Sequence, residues 1–188
     1  MKRKGILGGI FAMVLILALA LVLGAGSVSA AEPNIVDSGN CGANGDNVTW
    51  TLDSAGLLTI SGTGEMENCQ SIGSQPWYHN RSKITKTVIT GGVTGIGDYA
   101  FPYCTGLTSV TIPDSVTSIG ERAFLNCTGL TSVTVPDSVT SVEESAFSDC
   151  TGLTRVTIGS GVTSIGGSAF YGCTGLSSVE IPNRVTSI

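Results

Sequence analysis

The chain repeats a 23-residue unit from Val93 onward, and this period constrains its fold more than any other feature. Four complete copies cover residues 93–115, 116–138, 139–161 and 162–184. A fifth copy begins at residue 185 and stops at residue 188. Each unit reads approximately V-T-S-I-G-x-x-A-F-x-x-C-T-G-L-T-S-V-T-I-P-D-S. A fixed period of roughly this size indicates repeats that stack, because one unit cannot bury its apolar face alone. The sequence therefore predicts a β-rich solenoid.

The pattern inside one unit predicts short strands and one short helical turn. Residues 107–112 alternate aliphatic with threonine or serine side chains, which is typical of a half-buried strand. Pro113 ends this strand, because proline cannot donate a hydrogen bond to a sheet ladder. A second short extended segment begins at Val116. Residues 121–126 are expected to form a single helical or 3₁₀ turn that places Phe124 in the core.

Upstream of the complete copies, the repeat fades rather than starting abruptly. Residues 84–92 carry apolar residues in register with the later strands and predict a degenerate first strand. Residues 48–52 and 58–60 alternate on either side of a turn, which is the pattern of a β-hairpin. This hairpin is expected to cover the open N-terminal edge of the stack. The predicted segments are a signal segment, a linker, a hairpin cap and the repeats, at residues 1–30, 31–40, 41–83 and 84–188.

The N-terminal segment has the order of parts found in a secretory signal peptide. Three basic residues at positions 2–4 precede an apolar stretch from residue 6 to residue 23, and small residues lead to Ala30. Cleavage is expected after Ala30 or Ala31. The apolar stretch approaches the ~20 residues of a membrane span, so an uncleaved anchor stays open as an alternative. We therefore predict a secreted or cell-surface protein, and we expect further repeats or an anchor beyond the incomplete fifth copy.

Charge and composition argue against several classes of function. Removal of residues 1–30 leaves six basic and 14 acidic residues, a net charge of −8. Negative charge repels nucleic acid and anionic membranes, so we expect no nucleic-acid partner and membrane contact only through the signal or anchor segment. His79 is the only histidine, and no nucleophile motif surrounds it. The chain is therefore predicted to have no enzymatic activity, catalytic residue, cofactor or metal.

The six cysteines fall into two groups. A structural column recurs every 23 residues and consists of Cys104, Cys127, Cys150 and Cys173. Stacked strands lie ~4.8 Å apart, so these sulfurs form a line, whereas zinc needs a tetrahedron. Cys41 and Cys69 lie outside the repeat. Export permits a disulfide between these two, although their spacing alone does not establish it.

Two columns of outward-facing residues form the candidate ligand-contact face. Threonine and serine dominate both columns, and only Arg155 and Glu180 interrupt them. The eight candidates are Ser109, Thr111, Ser132, Thr134, Arg155, Thr157, Ser178 and Glu180. Stacked repeats generally offer such extended surfaces for binding, and the alternative is an ordinary solvated β-face.

The unit resembles the BspA-like leucine-rich repeats of bacterial surface proteins, over residues 84–188. The stretches from Cys41 to Leu52 and from Ser61 to Gly64 resemble the usual lead-in of that family. The resemblance implies surface display and adhesion, with extracellular-matrix or other cell-surface proteins as partners, and no shared catalytic residues.

The predicted function is therefore that of a secreted or cell-surface adhesion protein that recognises proteins or glycans through an extended solenoid face. Two alternatives stay open. In the first alternative, the chain is the N-terminal accessory module of a larger exported enzyme. In the second, it is an ice-binding solenoid. The stacked threonines suggest ice binding, but Arg155 and Glu180 interrupt the regular ranks that this function needs.

Overall fold

The computed structural model describes residues 33–188, and the predicted signal segment at residues 1–30 lies outside this part. The described residues form twelve strands and one 3₁₀ helix, Tyr78–Lys83. The strands are β1 (Ile35–Gly42), β2 (Gly45–Asp53), β3 (Leu57–Gly62), β4 (Gly64–Glu65), β5 (Lys86–Ile89), β6 (Val93–Ile96), β7 (Ser109–Thr111), β8 (Ser118–Ile119), β9 (Ser132–Val135), β10 (Ser141–Val142), β11 (Arg155–Ile158) and β12 (Ser164–Ile165). No helix within residues 33–188 is long and apolar enough to cross a membrane.

The N-terminal part is a three-stranded antiparallel sheet rather than a single hairpin. β1 pairs with β2, and β2 pairs with β3. The sequence placed residues 31–40 in a linker, which is wrong from Ile35 onward, because this segment forms the outer strand. Most side chains of β1 are exposed, and its pairing shifts register twice. Backbone hydrogen bonds to β2 therefore create this strand without an apolar pattern in the sequence.

Successive repeats stack in parallel with an offset of 23 residues. One row of strands runs from β3 through β5 to β7, and β9 and β11 form its separate C-terminal pair. A second row contains β4, β6, β8, β10 and β12. Ser132 lies beside Arg155 in the first row, and Ser118 beside Ser141 in the second. Identical positions of the repeat therefore lie above one another. β5 lies within the segment that the sequence predicted as a degenerate first strand.

The third side of the repeats is a series of turns, which we call the turn edge. It comprises residues 98–103, 121–126, 144–149 and 167–172. The predicted helical turn at 121–126 is wrong, because Arg122 and Asn126 adopt left-handed conformations with φ of 52° and 57°. These conformations aim alternate N–H groups at the next repeat, so Phe124 donates to the carbonyl of Ala146 at 2.7 Å. The turn edge is therefore a third hydrogen-bonded ladder between repeats.

Columns of identical apolar side chains form the core. Phe101, Phe124 and Phe147 are fully buried, and successive ring centroids lie 5.1 Å apart in nearly parallel planes. Trp77 continues this column into the N-terminal part by stacking on Phe101 at 5.5 Å. Its indole N–H donates to the carbonyl of Ala100 at 3.0 Å. In the later copies, the equivalent carbonyl accepts from the phenylalanine N–H of the preceding copy, so Trp77 supplies the donor for the first complete copy. The N-terminal part thereby covers the first repeat with both apolar surface and a hydrogen-bond donor.

Candidate binding surfaces

All eight residues of the candidate ligand-contact face are exposed in the structure. We call this surface the polar face. The pairing of β9 with β11 places Ser132 beside Arg155 and Thr134 beside Thr157. Ser178 and Glu180 follow in the next repeat, where the chain is not in a regular strand. The repeat register therefore produces the two predicted columns, because every second side chain of each strand points away from the core.

Other threonine columns stabilise the stack instead of facing a ligand. The hydroxyls of Thr117, Thr140 and Thr163 each donate to the carbonyl of the threonine one repeat earlier, at 3.0, 3.2 and 3.1 Å. Thr154 donates in the same way to Thr131 at 3.1 Å. Threonine at these positions has a structural explanation that the polar-face column does not share.

The polar face continues into the N-terminal part, which sequence reasoning missed. β5 pairs with β7 so that Lys86 lies beside Ser109 and Val88 beside Thr111. β3 extends the second column, because Thr59 lies beside Val88. Lys86 adds a positive charge at the N-terminal end of the column that contains Arg155. Subtracting one period from Ser109 would have identified this residue.

The repeating cysteines form a buried column of free thiols. The Sγ atoms of Cys127 and Cys150 each donate to the carbonyl of a phenylalanine, Phe101 and Phe124, at 3.1 Å. Burial raises the pKa of Cys104 to about 12. A thiol with a raised pKa stays protonated at neutral pH and is a poor nucleophile or metal ligand. These contacts support a packing role for the column.

The second cysteine group is not bonded in the structure, where Cys41 and Cys69 are both free. The backbone partner of Cys41 is Glu67, whose N–H donates to the Cys41 carbonyl at 2.8 Å, and Cys69 lies two residues beyond this pair. Burial, together with the nearby Cys69 and Glu67, raises the pKa of Cys41 to about 12. The disulfide is therefore absent in this structure, and the pairing of these two cysteines stays a prediction.

An acidic groove of about 460 Å³ runs along the second row of strands and the adjoining turn edge. Its carboxylates are Glu65, Asp98, Glu121, Glu143 and Glu144. Gly95, Gly97 and Gly120 also line the groove, where the lack of side chains leaves space. The Oδ1 atom of Asp98 accepts a hydrogen bond from the Glu121 N–H at 2.8 Å. Sequence reasoning missed this groove, although three of its acidic residues, Asp98, Glu121 and Glu144, recur at the repeat period.

Two further results concern residues considered for metal or proton chemistry. Within residues 33–188, no group of three or more His, Cys, Asp or Glu side chains is arranged to hold a metal ion. The Nε2 atom of His79 lies 3.0 Å from the Oδ2 atom of Asp37, which also accepts a hydrogen bond from Asn80 at 2.7 Å. His79 therefore helps to connect β1 with the 3₁₀ helix.

A family model for the BspA type leucine-rich repeat region matches residues 70–188 with six copies. The chain belongs to this family. The BspA-type repeats thus cover well over half of the chain and begin upstream of residue 84, where the sequence placed their start. The resemblance carried by the repeat unit is confirmed, together with the β-rich repeat fold. No curated protein sequence matches the chain.

Several solved structures are similar to this BspA-type chain. A leucine-rich-repeat protein of T. pallidum is 23% identical, with a TM-score of 0.58 over 72% of this chain and 69% of that one. This similarity concerns the fold alone. A leucine-rich-repeat protein from Eubacterium ventriosum is 20% identical, with a TM-score of 0.46 over 80% of this chain and 62% of the other. A leucine-rich cell surface protein from Faecalibacterium prausnitzii is 27% identical, with a TM-score of 0.44 over 76% and 48%. The chain therefore spans less than two thirds of the length of two of these proteins.

Proposed function

We propose that this BspA-type chain is a non-enzymatic binding protein, secreted or displayed at a bacterial cell surface, that contacts proteins or glycans through the polar face. The observation that carries the proposal is that all eight residues of this face are exposed and follow the repeat register. A solenoid of this kind offers an extended surface on which each repeat contributes the same few side chains.

The differences between copies support a binding role for the polar face. Arg155 replaces the serine found in the other copies, and Glu180 replaces threonine. Neither change is required by the stack, because the other copies have the same fold without it. Charged side chains on a polar surface increase the selectivity of association and the rate of encounter. We therefore expect recognition to depend most strongly on these two residues.

Export is the second part of the proposal, and its support comes from the sequence. Residues 1–30 have the basic start, the apolar stretch and the small residues before the cleavage site that a secretory signal contains. Partners of an exported chain are themselves extracellular or at a cell surface. We accordingly expect a protein or glycan of that compartment as the ligand.

The test measures binding of residues 31–188 to a panel of extracellular-matrix proteins and to a glycan array. A double charge reversal, Arg155→Glu with Glu180→Arg, is compared with a matched reversal outside the face, Asp114→Arg with Arg184→Glu. We expect at least one ligand to lose about tenfold in affinity, which is ~1.4 kcal/mol, with the first variant only. Equal affinity of both variants for every ligand, or no binding to the panel, would refute the assignment.

A further inference from the structure

The four complete copies differ from one another mainly along the turn edge. On the polar face, two of eight positions depart from the common residue. At the first left-handed position of the turn edge, the copies carry Tyr99, Arg122, Ser145 and Ser168. At the second left-handed position they carry Tyr103, Asn126, Asp149 and Gly172. The turns of the first three copies donate equivalent hydrogen bonds to the copy that follows each of them. The stacking of the repeats therefore does not explain why the side chains at these positions vary.

Several of these residues occupy a backbone conformation that favours glycine. Tyr99, Tyr103 and Arg122 have φ of 51°, 58° and 52°. A residue with a Cβ atom is destabilised in this region, and glycine is not. Gly172 shows that the same turn accepts glycine at the second position. Both positions have a positive φ in every copy, so the turn imposes this conformation while the side chain placed there varies.

The side chains at the N-terminal end of the turn edge form a preorganised cluster. The guanidinium of Arg122 donates to the Tyr99 hydroxyl and to the Glu121 carboxylate. Its central carbon also lies 5.5 Å from the centre of the Tyr99 ring. These contacts hold the tyrosine beside Glu121, which lines the acidic groove, and they pair the arginine with a carboxylate. Tyr103 is 38% exposed, and Tyr171 is 70% exposed in the last complete copy.

The charge around this cluster is negative. Asp98, Glu143 and Glu144 line the adjoining groove, and Asp149 lies on the turn edge itself. The only basic residue of the turn edge, Arg122, is already paired with Glu121. Tyrosine rings attract cations through their faces, and carboxylates form ion pairs with lysine and arginine. Tyrosine is also enriched among the residues that dominate protein–protein binding.

We propose that the turn edge and the acidic groove beside it form a second binding surface, which takes an arginine- or lysine-rich segment of a partner protein. This surface goes beyond the function proposed for the polar face and does not depend on the ligand bound there. The tyrosines contact the aliphatic and cationic parts of the basic side chains, and the groove carboxylates pair with their charges.

The repeats themselves supply substitutions that preserve the fold. The turn-edge variant combines Tyr99→Ser, Tyr103→Gly and Glu144→Gly, which copies residues found at the same positions in other repeats. The polar-face variant combines Arg155→Ser with Glu180→Thr by the same rule. A third variant, Asp46→Asn with Asp114→Asn, removes negative charge elsewhere and controls for attraction to the net charge.

Binding of residues 31–188 to a fluorescent deca-arginine peptide is measured by anisotropy at about 0.15 M salt, where long-range attraction is screened. We expect the turn-edge variant to lose about tenfold or more in affinity, and the other two variants to stay within about twofold. Deca-glutamate is expected not to bind. The proposal is overturned if the wild-type chain does not bind deca-arginine, if the turn-edge variant binds like wild type, or if either control variant weakens binding equally. If the wild-type chain binds deca-arginine but binds no ligand of the matrix-protein and glycan panel, only the function proposed for the polar face is contradicted.

Discussion

Replacing Thr87 with valine is expected to stabilise the protein, because the structure buries the threonine hydroxyl without a partner. Thr87 lies on β5, is 1% exposed, and its Oγ1 atom has no hydrogen-bond partner. Its neighbours in the sheet register are Leu58 and Val110, and the equivalent position of every complete repeat is valine. Valine has nearly the same shape as threonine. The repeat therefore already shows which side chain the site accommodates.

The expected gain follows from the two terms that the substitution changes. An unpaired buried hydroxyl costs about 1–3 kcal/mol in desolvation. A buried methyl group in its place adds about 0.8 kcal/mol of hydrophobic stabilisation. Because the chain relaxes around the existing hydroxyl, we expect the free energy of unfolding to rise by about 1–3 kcal/mol in total. For a chain of this size, each kcal/mol corresponds to roughly 2–4 °C in Tm.

Urea unfolding followed by tryptophan fluorescence provides the assay, because Trp50 and Trp77 are both buried. The midpoint should rise with an unchanged dependence on urea. Thr117→Val is the matched control: its hydroxyl donates to Thr94 at 3.0 Å, so this variant should lose about 0.5–1.5 kcal/mol. A Thr87→Val protein that is less stable than wild type would show that the hydroxyl is satisfied and would refute the reasoning.

Three further predictions concern backbone and thiol chemistry. Ser145→Gly relieves a residue with φ of 55° and should raise the free energy of unfolding by about 0.5–1 kcal/mol, whereas Ser141→Gly in β10 should lower it by a similar amount; equal effects in urea unfolding would contradict this. Gly161→Ala brings a Cβ atom to 1.9 Å from a backbone oxygen of the preceding repeat and should lower Tm, whereas Gly167→Ala meets no atom within 4 Å and should not; thermal unfolding decides. Burial raises the pKa of Cys104 from 9.0 to about 12, so the neutral thiol contributes stability below pH 9 that is lost as the pH rises toward 12; the urea midpoint should fall more in wild type than in Cys104→Ala, and parallel pH profiles would count against it.

The inward columns and the polar face could be predicted because both follow from the period. Phe124 and Leu130 are fully buried, and Thr134 is exposed, as the alternation indicates. In a stack, a residue that recurs every 23 positions meets the same environment in each repeat. The same pattern of apolar and polar residues therefore occurs four times in the sequence. This repetition distinguishes the inward from the outward side of each strand.

The outer strand and the turn edge could not be predicted, because neither depends on an apolar pattern. β1 exposes most of its side chains and is created by backbone hydrogen bonds to β2. At the turn edge, the sequence predicted a local helical or 3₁₀ turn over residues 121–126. The backbone instead bonds to the next repeat, through residues such as Arg122 whose left-handed conformation is uncommon for a side chain with a Cβ atom.

The sequence by itself determined the period, the family and the residues that form the core columns, because these depend on which apolar side chains recur. Only the tertiary structure decided which polar residues share a surface. Tyr99 belongs to the first complete copy, and Glu121 and Arg122 are neighbours in the second. The stacking of one copy on the next brings the three side chains together, beside the acidic groove that Glu121 lines. Such a contact depends on the distance and twist between repeats, which no single repeat contains.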